Sequence, residues 1–85
     1  MKVEILGTGC YNCLQLELLV GEVLRALGRE DVTVVKVNDE RQIRHHIPVE
    51  ATPGLVINGR LVSQREVPDR EVLTRWLSEA LADEG

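Results

Sequence analysis

The sequence predicts an α/β fold with the element order β-α-β-α-β-β-α, in which helices flank a four-stranded mixed sheet. Three observations lead to this prediction. Short runs of β-branched residues alternate with helical patterns in the first half of the chain. An Asn-Gly pair separates two apolar runs in the second half, and an amphipathic helix follows them. A helix between two strands favours a right-handed βαβ unit with parallel strands.

The composition is that of one small globular domain. Hydrophobic residues make up 44% of the 85 residues and charged residues 28%, which differs from the composition of disordered chains. A chain of this length cannot supply two cores, so we expect a single domain over residues 1–85. The core must consist mainly of Leu, Val and Ile, because the chain has no Phe, one Trp and one Tyr.

The charge and the hydropathy argue against two classes of partner. The net charge is −4, whereas a nucleic-acid binder needs a basic surface and usually stacking aromatic residues. No apolar run approaches the roughly 20 residues that cross a bilayer. The first residues also lack the apolar stretch and cleavage site of a signal peptide. We therefore expect a cytoplasmic protein that binds neither nucleic acid nor membrane.

The first strand and the first helix follow from simple patterns. Residues 2–6 alternate polar and apolar and then end apolar, which predicts a strand. Cys10 stands at the N-cap position of a proline-free pattern over residues 12–27, which predicts an amphipathic to largely buried helix. Gly28 is expected directly after the helix C-cap. Gly21 inside the helix costs about 1 kcal/mol relative to Ala, and close approach of another backbone would explain it.

A second strand and a short helix come next. Residues 32–37 are rich in β-branched side chains, which favours a strand. Asn38 or Asp39 then caps a short helix that runs to His45 or His46. We interpret the two histidines as a solvated helix end rather than a metal or proton-shuttle site, because adjacent helical residues point about 100° apart.

The remaining pattern predicts a hairpin and a final helix. Residues 54–57 and 60–63 are apolar runs on either side of Asn58-Gly59, which favours a type I′ turn. The last helix begins near Pro68. Its apolar stripe, which we expect in the core, consists of Leu73, Trp76, Leu77, Ala80 and Leu81.

The chemistry of the chain is concentrated in Cys10 and Cys13, its only cysteines. A disulfide between them would close a very short loop and would stabilise the fold by only about 2 kcal/mol, against about 3 kcal/mol for a disulfide that closes a 15-residue loop. A structural disulfide is therefore the weakest interpretation of the pair, and redox chemistry and metal binding remain. At a helix N-terminus, free amides and the macrodipole favour a thiolate. Similar motifs lower a cysteine pKa from near 8.5 to roughly 3.5–7.5.

The motifs together resemble the thioredoxin fold. Cys-x-x-Cys lies at the first strand-to-helix turn, Thr52-Pro53 precedes the third strand, and the Asn-Gly hairpin leads to a final helix. More closely, the chain resembles the small thioredoxin/glutaredoxin-like redox-active disulfide proteins of archaea and bacteria. The most specific parts of this resemblance are Gly7-Thr8-Gly9-Cys10-x-x-Cys13 and Thr52-Pro53-x-Leu55-Val56-Ile57-x-Gly59.

The resemblance implies a thiol–disulfide oxidoreductase with Cys10 as the nucleophile and Cys13 as the resolving thiol. It also implies a cis peptide bond between Thr52 and Pro53, beside the cysteine pair. The substrate-binding residues that it implies are Gly9, Tyr11, Thr52 and Pro53. The Cys10–Cys13 disulfide would be the redox group, with no further cofactor and no metal.

The implied partners are disulfide-containing proteins, with a thioredoxin-reductase-like protein as the candidate electron donor. The chain would act as a monomer or a weak dimer. The sequence departs from better-known relatives at Tyr11-Asn12, where thioredoxins have Gly-Pro and glutaredoxins Pro-Tyr. Gln64-Arg65 lies where the small relatives often have a glycine. Glu4 is expected to face outward, which leaves no acid behind Cys13.

Two alternatives use the same two thiolates. One is a soft-metal carrier for copper or zinc, similar to the Met-x-Cys-x-x-Cys loop of small heavy-metal-binding domains. Those domains have the order β-α-β-β-α-β and finish on a strand, whereas this chain finishes on a helix. The other is a redox-sensing binding module with little turnover, which the sequence does not separate from an enzyme.

Overall fold

The predicted fold class is confirmed. The computed structural model describes residues 1–84 of the chain. In chain order the elements are β1 (Lys2–Leu6), α1 (Tyr11–Ala26), β2 (Thr33–Val37), α2 (Glu40–Arg44), a 3₁₀ turn (Val49–Ala51), β3 (Gly54–Ile57), β4 (Arg60–Gln64) and α3 (Arg70–Glu84). The 3₁₀ turn was not predicted, and it begins directly after Pro48. None of the helices within residues 1–84 has both the length and the apolar composition to cross a membrane.

The sheet places β1 at its centre. The strand order is β2-β1-β3-β4. β1 runs parallel to β2 and antiparallel to β3, and β3 runs antiparallel to β4. The parallel pair is the one expected from the βαβ unit. The carboxyl end of β1 and the start of β3 therefore meet at the same edge of the sheet.

The two faces of the sheet bury separate apolar clusters. Val3 and Ile5 of β1 pack with buried side chains of α1 and α3. Leu6 points to the other face and packs with Ile43 of α2 and Ile47 after it. Each leucine that is fully buried in this way contributes about 1.5–3 kcal/mol. Trp76 is only partly buried at the edge of the first cluster, so its predicted core position holds in part.

The hairpin turn is the predicted type. Asn58 and Gly59 have φ values of 51° and 81°, and a type I′ turn requires a positive φ at both positions. Asn58 also ties the turn to β1. Its backbone N–H donates to the Lys2 carbonyl at 2.9 Å, and its side-chain oxygen accepts from the Lys2 N–H at 3.0 Å.

Helix α1 ends as the sequence predicts. Gly28 has a φ of +70°, and its N–H donates to the Arg25 carbonyl at 3.0 Å. The N–H of Arg29 donates to the Leu24 carbonyl at 3.0 Å. These two bonds form a Schellman motif, which satisfies carbonyls that the helix itself leaves free.

Gly21 does not mark a close backbone approach, so that expectation is wrong. A Cβ added there would meet only the Nη2 atom of Arg25, at 3.9 Å. We therefore expect Gly21→Ala to raise the free energy of unfolding by about 0.5–1 kcal/mol, because alanine is the better helix former. Urea denaturation checks this prediction, and an unchanged or lower unfolding free energy would contradict it.

Candidate active site

The cysteine pair lies where β1 passes into α1. Cys10 and Cys13 are joined by a disulfide, with their Cα atoms 5.0 Å apart. Cys10 occupies the predicted N-cap position with an extended backbone. Its Sγ accepts a hydrogen bond from the backbone N–H of Cys13 at 3.2 Å. In the reduced pair, this N–H and the positive end of the helix dipole would stabilise a thiolate on Cys10.

Exposure distinguishes the two sulfurs. Cys10 is exposed, whereas Cys13 retains only 6% of its accessible surface. Cys13 lies one helical turn further in, behind Cys10. A disulfide on another molecule can therefore approach Cys10 directly, while Cys13 is reached from within the protein.

Gly7 allows Cys13 to occupy its buried position. A Cβ added to Gly7 would overlap the Sγ of Cys13 and lie 3.0 Å from its Cβ. Gly7 cannot simply move away, because its N–H donates to the Val37 carbonyl at 2.9 Å. The glycine before the cysteine turn is thus required by close packing.

Thr52 and Pro53 reach the same edge of the sheet as the cysteines. Gly54 pairs with Leu6 in the antiparallel ladder, so Pro53 lies beside the start of the cysteine turn. Pro53 is buried, and the Thr52–Pro53 peptide bond is cis. The N–H and the hydroxyl of Thr52 both donate to the Val49 carbonyl, at 3.3 and 3.0 Å. The amide of Thr52 is therefore engaged within the fold.

Arg65 holds this loop from the end of β4. Its backbone N–H donates to the carbonyls of Ala51 at 2.8 Å and Pro53 at 3.0 Å. Arg65 has a φ of +70°, a conformation that disfavours residues with a Cβ. The small relatives that the chain resembles often have a glycine here, and the positive φ of Arg65 supplies a reason.

We expect Arg65→Gly to stabilise the protein. Glycine adopts the left-handed conformation without strain, which should raise the free energy of unfolding by about 1–2 kcal/mol. The greater flexibility of glycine in the unfolded chain lowers it by about 0.5–1 kcal/mol. The net gain should be about 0.5–1 kcal/mol, since the two backbone hydrogen bonds remain. Chemical denaturation checks the gain. Arg60→Gly is the matched control, because Arg60 is an exposed β4 residue outside the left-handed region, and it should lose stability. A loss for Arg65→Gly would contradict the prediction.

An exposed apolar strip begins at Cys10. Tyr11, Leu14 and Leu18 are 74%, 50% and 61% exposed, and their spacing places them on one face of α1. The prediction of an amphipathic to largely buried helix over residues 12–27 is wrong for this face, where Leu14 and Leu18 are exposed. No element among residues 1–84 covers it to the extent seen on the opposite face, where Leu16 and Val20 are fully buried.

A small open cavity of about 90 Å³ lies beside the buried sulfur. Cys13, Glu17, Lys36 and Asn38 are among its lining residues. Lys36 Nζ lies 3.6 Å from Glu17 Oε1. Neither of these charged residues is predicted from the sequence. Glu17 could have been found from the sequence, because it follows Cys13 by four positions and so lies on the same helix face. Lys36 could not, because its place beside Glu17 depends on where β2 lies in the sheet.

Glu4 lies on the other face of the sheet. It pairs with Val56 across β1 and β3, and its Oε2 lies 3.8 Å from His46 Nε2. Its side chain retains only 18% exposure, so the expectation that it faces outward is corrected. His45 is exposed, as expected for a solvated helix end. Within residues 1–84, no group of three or more His, Cys, Asp or Glu side chains is placed to hold a metal ion.

The six residues singled out from the sequence lie at one edge of the sheet. Cys10, Cys13, Gly9 and Tyr11 are in the turn after β1, and Thr52-Pro53 precedes β3. The exposed Cys10, buried Cys13 and apolar strip suit a reaction with another molecule's disulfide. One thiolate attacks a sulfur of that disulfide, and a second thiolate then attacks the mixed disulfide that forms.

Comparison with known proteins gives a family match over the same elements. Residues 1–78 match a family model described as a thioredoxin domain. The chain is also 36% identical over 78 residues to a thioredoxin from Methanothermobacter thermautotrophicus. That alignment covers 92% of this chain and 99% of the relative. The family match extends from β1, through the cysteine turn and the hairpin, into α3.

Proposed function

Because the chain belongs to the thioredoxin family, we propose that it is a thiol–disulfide oxidoreductase that exchanges disulfides with partner proteins. Family membership supports an oxidoreductase activity. The observation that carries the finer proposal is the arrangement of the two sulfurs. Cys10 is exposed at the helix N-cap with an amide directed at its Sγ, and it is bonded to the buried Cys13.

The first step is attack on the partner. The Cys10 thiolate attacks one sulfur of the partner disulfide, so that a Cys10–partner S–S bond forms and the partner S–S bond breaks. The second partner sulfur leaves as a thiolate and takes a proton from water. The amide of Cys13 and the helix dipole stabilise the Cys10 thiolate before attack, which supports Cys10 as the nucleophile.

The second step is resolution within the chain. Cys13 loses its proton and attacks the Sγ of Cys10. The Cys10–Cys13 bond forms, the Cys10–partner bond breaks, and the partner leaves as a dithiol once the sulfur released from Cys10 has taken up a proton. Two electrons pass from the cysteine pair to the partner, and the two protons that the cysteine thiols lose are balanced by the two that the partner thiolates take up from solvent. The pair is the redox group in this proposal, without a further cofactor or a metal.

The partner segment would bind across the turn and the proline loop. Gly9 and Tyr11 flank Cys10 on one side, and Thr52-Pro53 approaches from β3. Since the Thr52 N–H is engaged by Val49, we assign the Thr52 carbonyl, rather than the N–H, to the extended partner segment. A reductase resembling thioredoxin reductase would restore the dithiol. We place this exchange in the cytoplasm, with the chain as one domain and a monomer or weak dimer.

The apolar strip on α1 leads to a prediction about partner size. Replacing Leu14 and Leu18 together with Gln should lower kcat/KM for a protein disulfide about twenty- to thirtyfold, because burying half of each leucine contributes about 1 kcal/mol. Attack on a small aromatic disulfide should fall much less, because such a molecule does not reach Leu18. Parallel assays with the two substrates check this difference between the losses. Equal losses with both, or no loss with the protein substrate, would contradict it.

The proposed function is tested by turnover. The protein should accelerate reduction of a protein disulfide by dithiothreitol, and the acceleration should be proportional to the concentration of the chain. Circular dichroism should confirm that the sample is folded. A folded, fully reduced sample that leaves the uncatalysed rate unchanged would contradict the proposed function.

A further inference from the structure

We propose that a groove between α3 and the β3–β4 hairpin binds an extended basic segment of a partner protein. The groove, called here the α3 groove, contains an open cavity of about 530 Å³. Ligand sites in proteins typically have volumes of roughly 300–1,000 Å³. The residues that line the α3 groove include Ile57, Arg60, Val62, Trp76, Glu79 and Asp83.

The α3 groove lies at the end of the sheet away from the cysteines. Ile57 pairs with Val3 near the start of β1, whereas Cys10 follows the other end of β1, after Leu6. A segment bound in the α3 groove therefore does not cover Cys10. The site is separate from the disulfide exchange proposed above.

One face of α3 forms a wall of the groove. Trp76, Glu79, Ala80 and Asp83 line the cavity, and their spacing of i, i+3, i+4 and i+7 places them on the same helix face. Trp76 is only partly buried, and both carboxylates are exposed. Tryptophan packs against apolar groups and attracts cations to its ring face. This wall therefore suits a ligand that carries both apolar and cationic groups.

The two carboxylates carry negative charge that the fold does not compensate. The ion pairs within residues 1–84 involve neither Glu79 nor Asp83. Both residues lie in the last two turns of α3, and the last turn up to Glu84 contains no basic residue. The helix dipole favours cations at this end of a helix. A cation bound here therefore interacts favourably with the carboxylates and with the dipole.

The opposite wall favours a peptide over a free organic cation. Arg60 of β4 lines the cavity and is exposed. Its guanidinium would repel a free cation, but it donates hydrogen bonds to carbonyl groups. An extended segment can direct basic side chains to α3 and backbone carbonyls to Arg60. β4 is an edge strand of the sheet, so the segment can approach from that open side.

The spacing of the carboxylates matches alternate residues of an extended segment. Glu79 and Asp83 are four residues apart on α3, which corresponds to a rise of about 6 Å. Residues i and i+2 of an extended chain project to the same side and lie about 6.6 Å apart. Two basic residues separated by one residue can therefore reach both carboxylates. An apolar residue two positions away from this pair can contact Trp76, which precedes Glu79 by three residues.

The binding can be measured without a label, because Trp76 is the only tryptophan of the chain. The probe is the acetylated and amidated pentapeptide Leu-Ser-Arg-Ser-Arg. We expect a saturable change in Trp76 fluorescence, with the same Kd by calorimetry. The control peptide Leu-Ser-Arg-Arg-Ser has the same composition and charge, but only one of its arginines faces α3. It should bind about two- to fivefold more weakly, which is the contribution of one exposed ion pair.

Matched variants assign the binding to the α3 groove. Glu79→Gln and Asp83→Asn should each weaken binding of the first peptide about two- to fivefold. The double variant should bind the two peptides equally. Glu71→Gln removes the same charge from the first turn of α3, outside the cavity, and should leave the Kd unchanged. All three side chains are exposed, and circular dichroism should confirm that each variant is folded.

Three results would overturn the inference. The first is the absence of saturable binding by either method up to about 1 mM peptide. The second is equal affinity of the wild-type protein for the two arginine peptides, and the third is an equal loss of affinity in Glu71→Gln. The last two would mean that net charge alone accounts for the binding. None of these measurements requires turnover, so failure of the proposed disulfide exchange would leave the result for the α3 groove unchanged.

Discussion

Replacing Cys10 with serine is expected to reduce disulfide turnover to the uncatalysed rate, and replacing Cys13 with serine is expected to stop the reaction at a mixed disulfide. A serine hydroxyl does not ionise near neutral pH, so the Cys10→Ser protein has no exposed nucleophile. The Cys13→Ser protein keeps the exposed, N-capped thiol. It should attack a partner once and then lack the internal thiol that releases the product.

Turnover and intact-mass measurements check both outcomes. Cys13→Ser incubated with a disulfide-bonded partner should gain the mass of that partner, and added reductant should reverse the gain. Cys10→Ser should show no such adduct, because Cys13 is nearly buried. Full turnover by Cys10→Ser, or an adduct on Cys13 in that variant, would reverse the assignment of nucleophile and resolving thiol.

Gly7→Ala is expected to have the largest effect on stability. The new Cβ would overlap the Sγ of Cys13, and the hydrogen bond from the Gly7 N–H to Val37 restrains the backbone. Overpacking of this kind costs about 1–3 kcal/mol. Urea denaturation of the oxidised protein should show the loss as a lower transition midpoint.

A double-mutant cycle identifies the cause of that loss. Cys13→Ala removes the sulfur that the new Cβ would overlap, so Gly7→Ala should be less destabilising in that background than in the reduced wild type. If Gly7→Ala destabilises both backgrounds equally, the cost comes from the backbone and not from contact with Cys13.

Much of the fold follows from local sequence patterns. The N-cap at Cys10, the Schellman glycine at Gly28 and the Asn58-Gly59 turn depend on one or two residues and their immediate neighbours. Those features could be predicted because short-range hydrogen bonding and φ preferences determine them. Element bounds differ from the predictions by one or two residues, as helix and strand ends commonly do.

The features that sequence reasoning missed depend on tertiary contacts. The Glu17–Lys36 pair requires β2 to lie beside α1 with Lys36 on the same face. The exposure of Leu14 and Leu18 requires knowing that α3 and the sheet cover only one face of α1. The local sequence around Arg65 does not predict its positive φ, which accompanies hydrogen bonds to Ala51 and Pro53 in another segment. The one sign of it is that the small relatives often have a glycine at this place.

The central claim is that Cys10 and Cys13 form a reversible two-electron redox couple. A titration in defined thiol–disulfide buffers, followed by alkylation and mass analysis, tests it most directly. We expect a single transition between the dithiol and the Cys10–Cys13 disulfide at a potential of about −270 to −200 mV. A pair that does not interconvert reversibly in this range, or a reduced protein that retains one stoichiometric equivalent of copper or zinc, would contradict the claim.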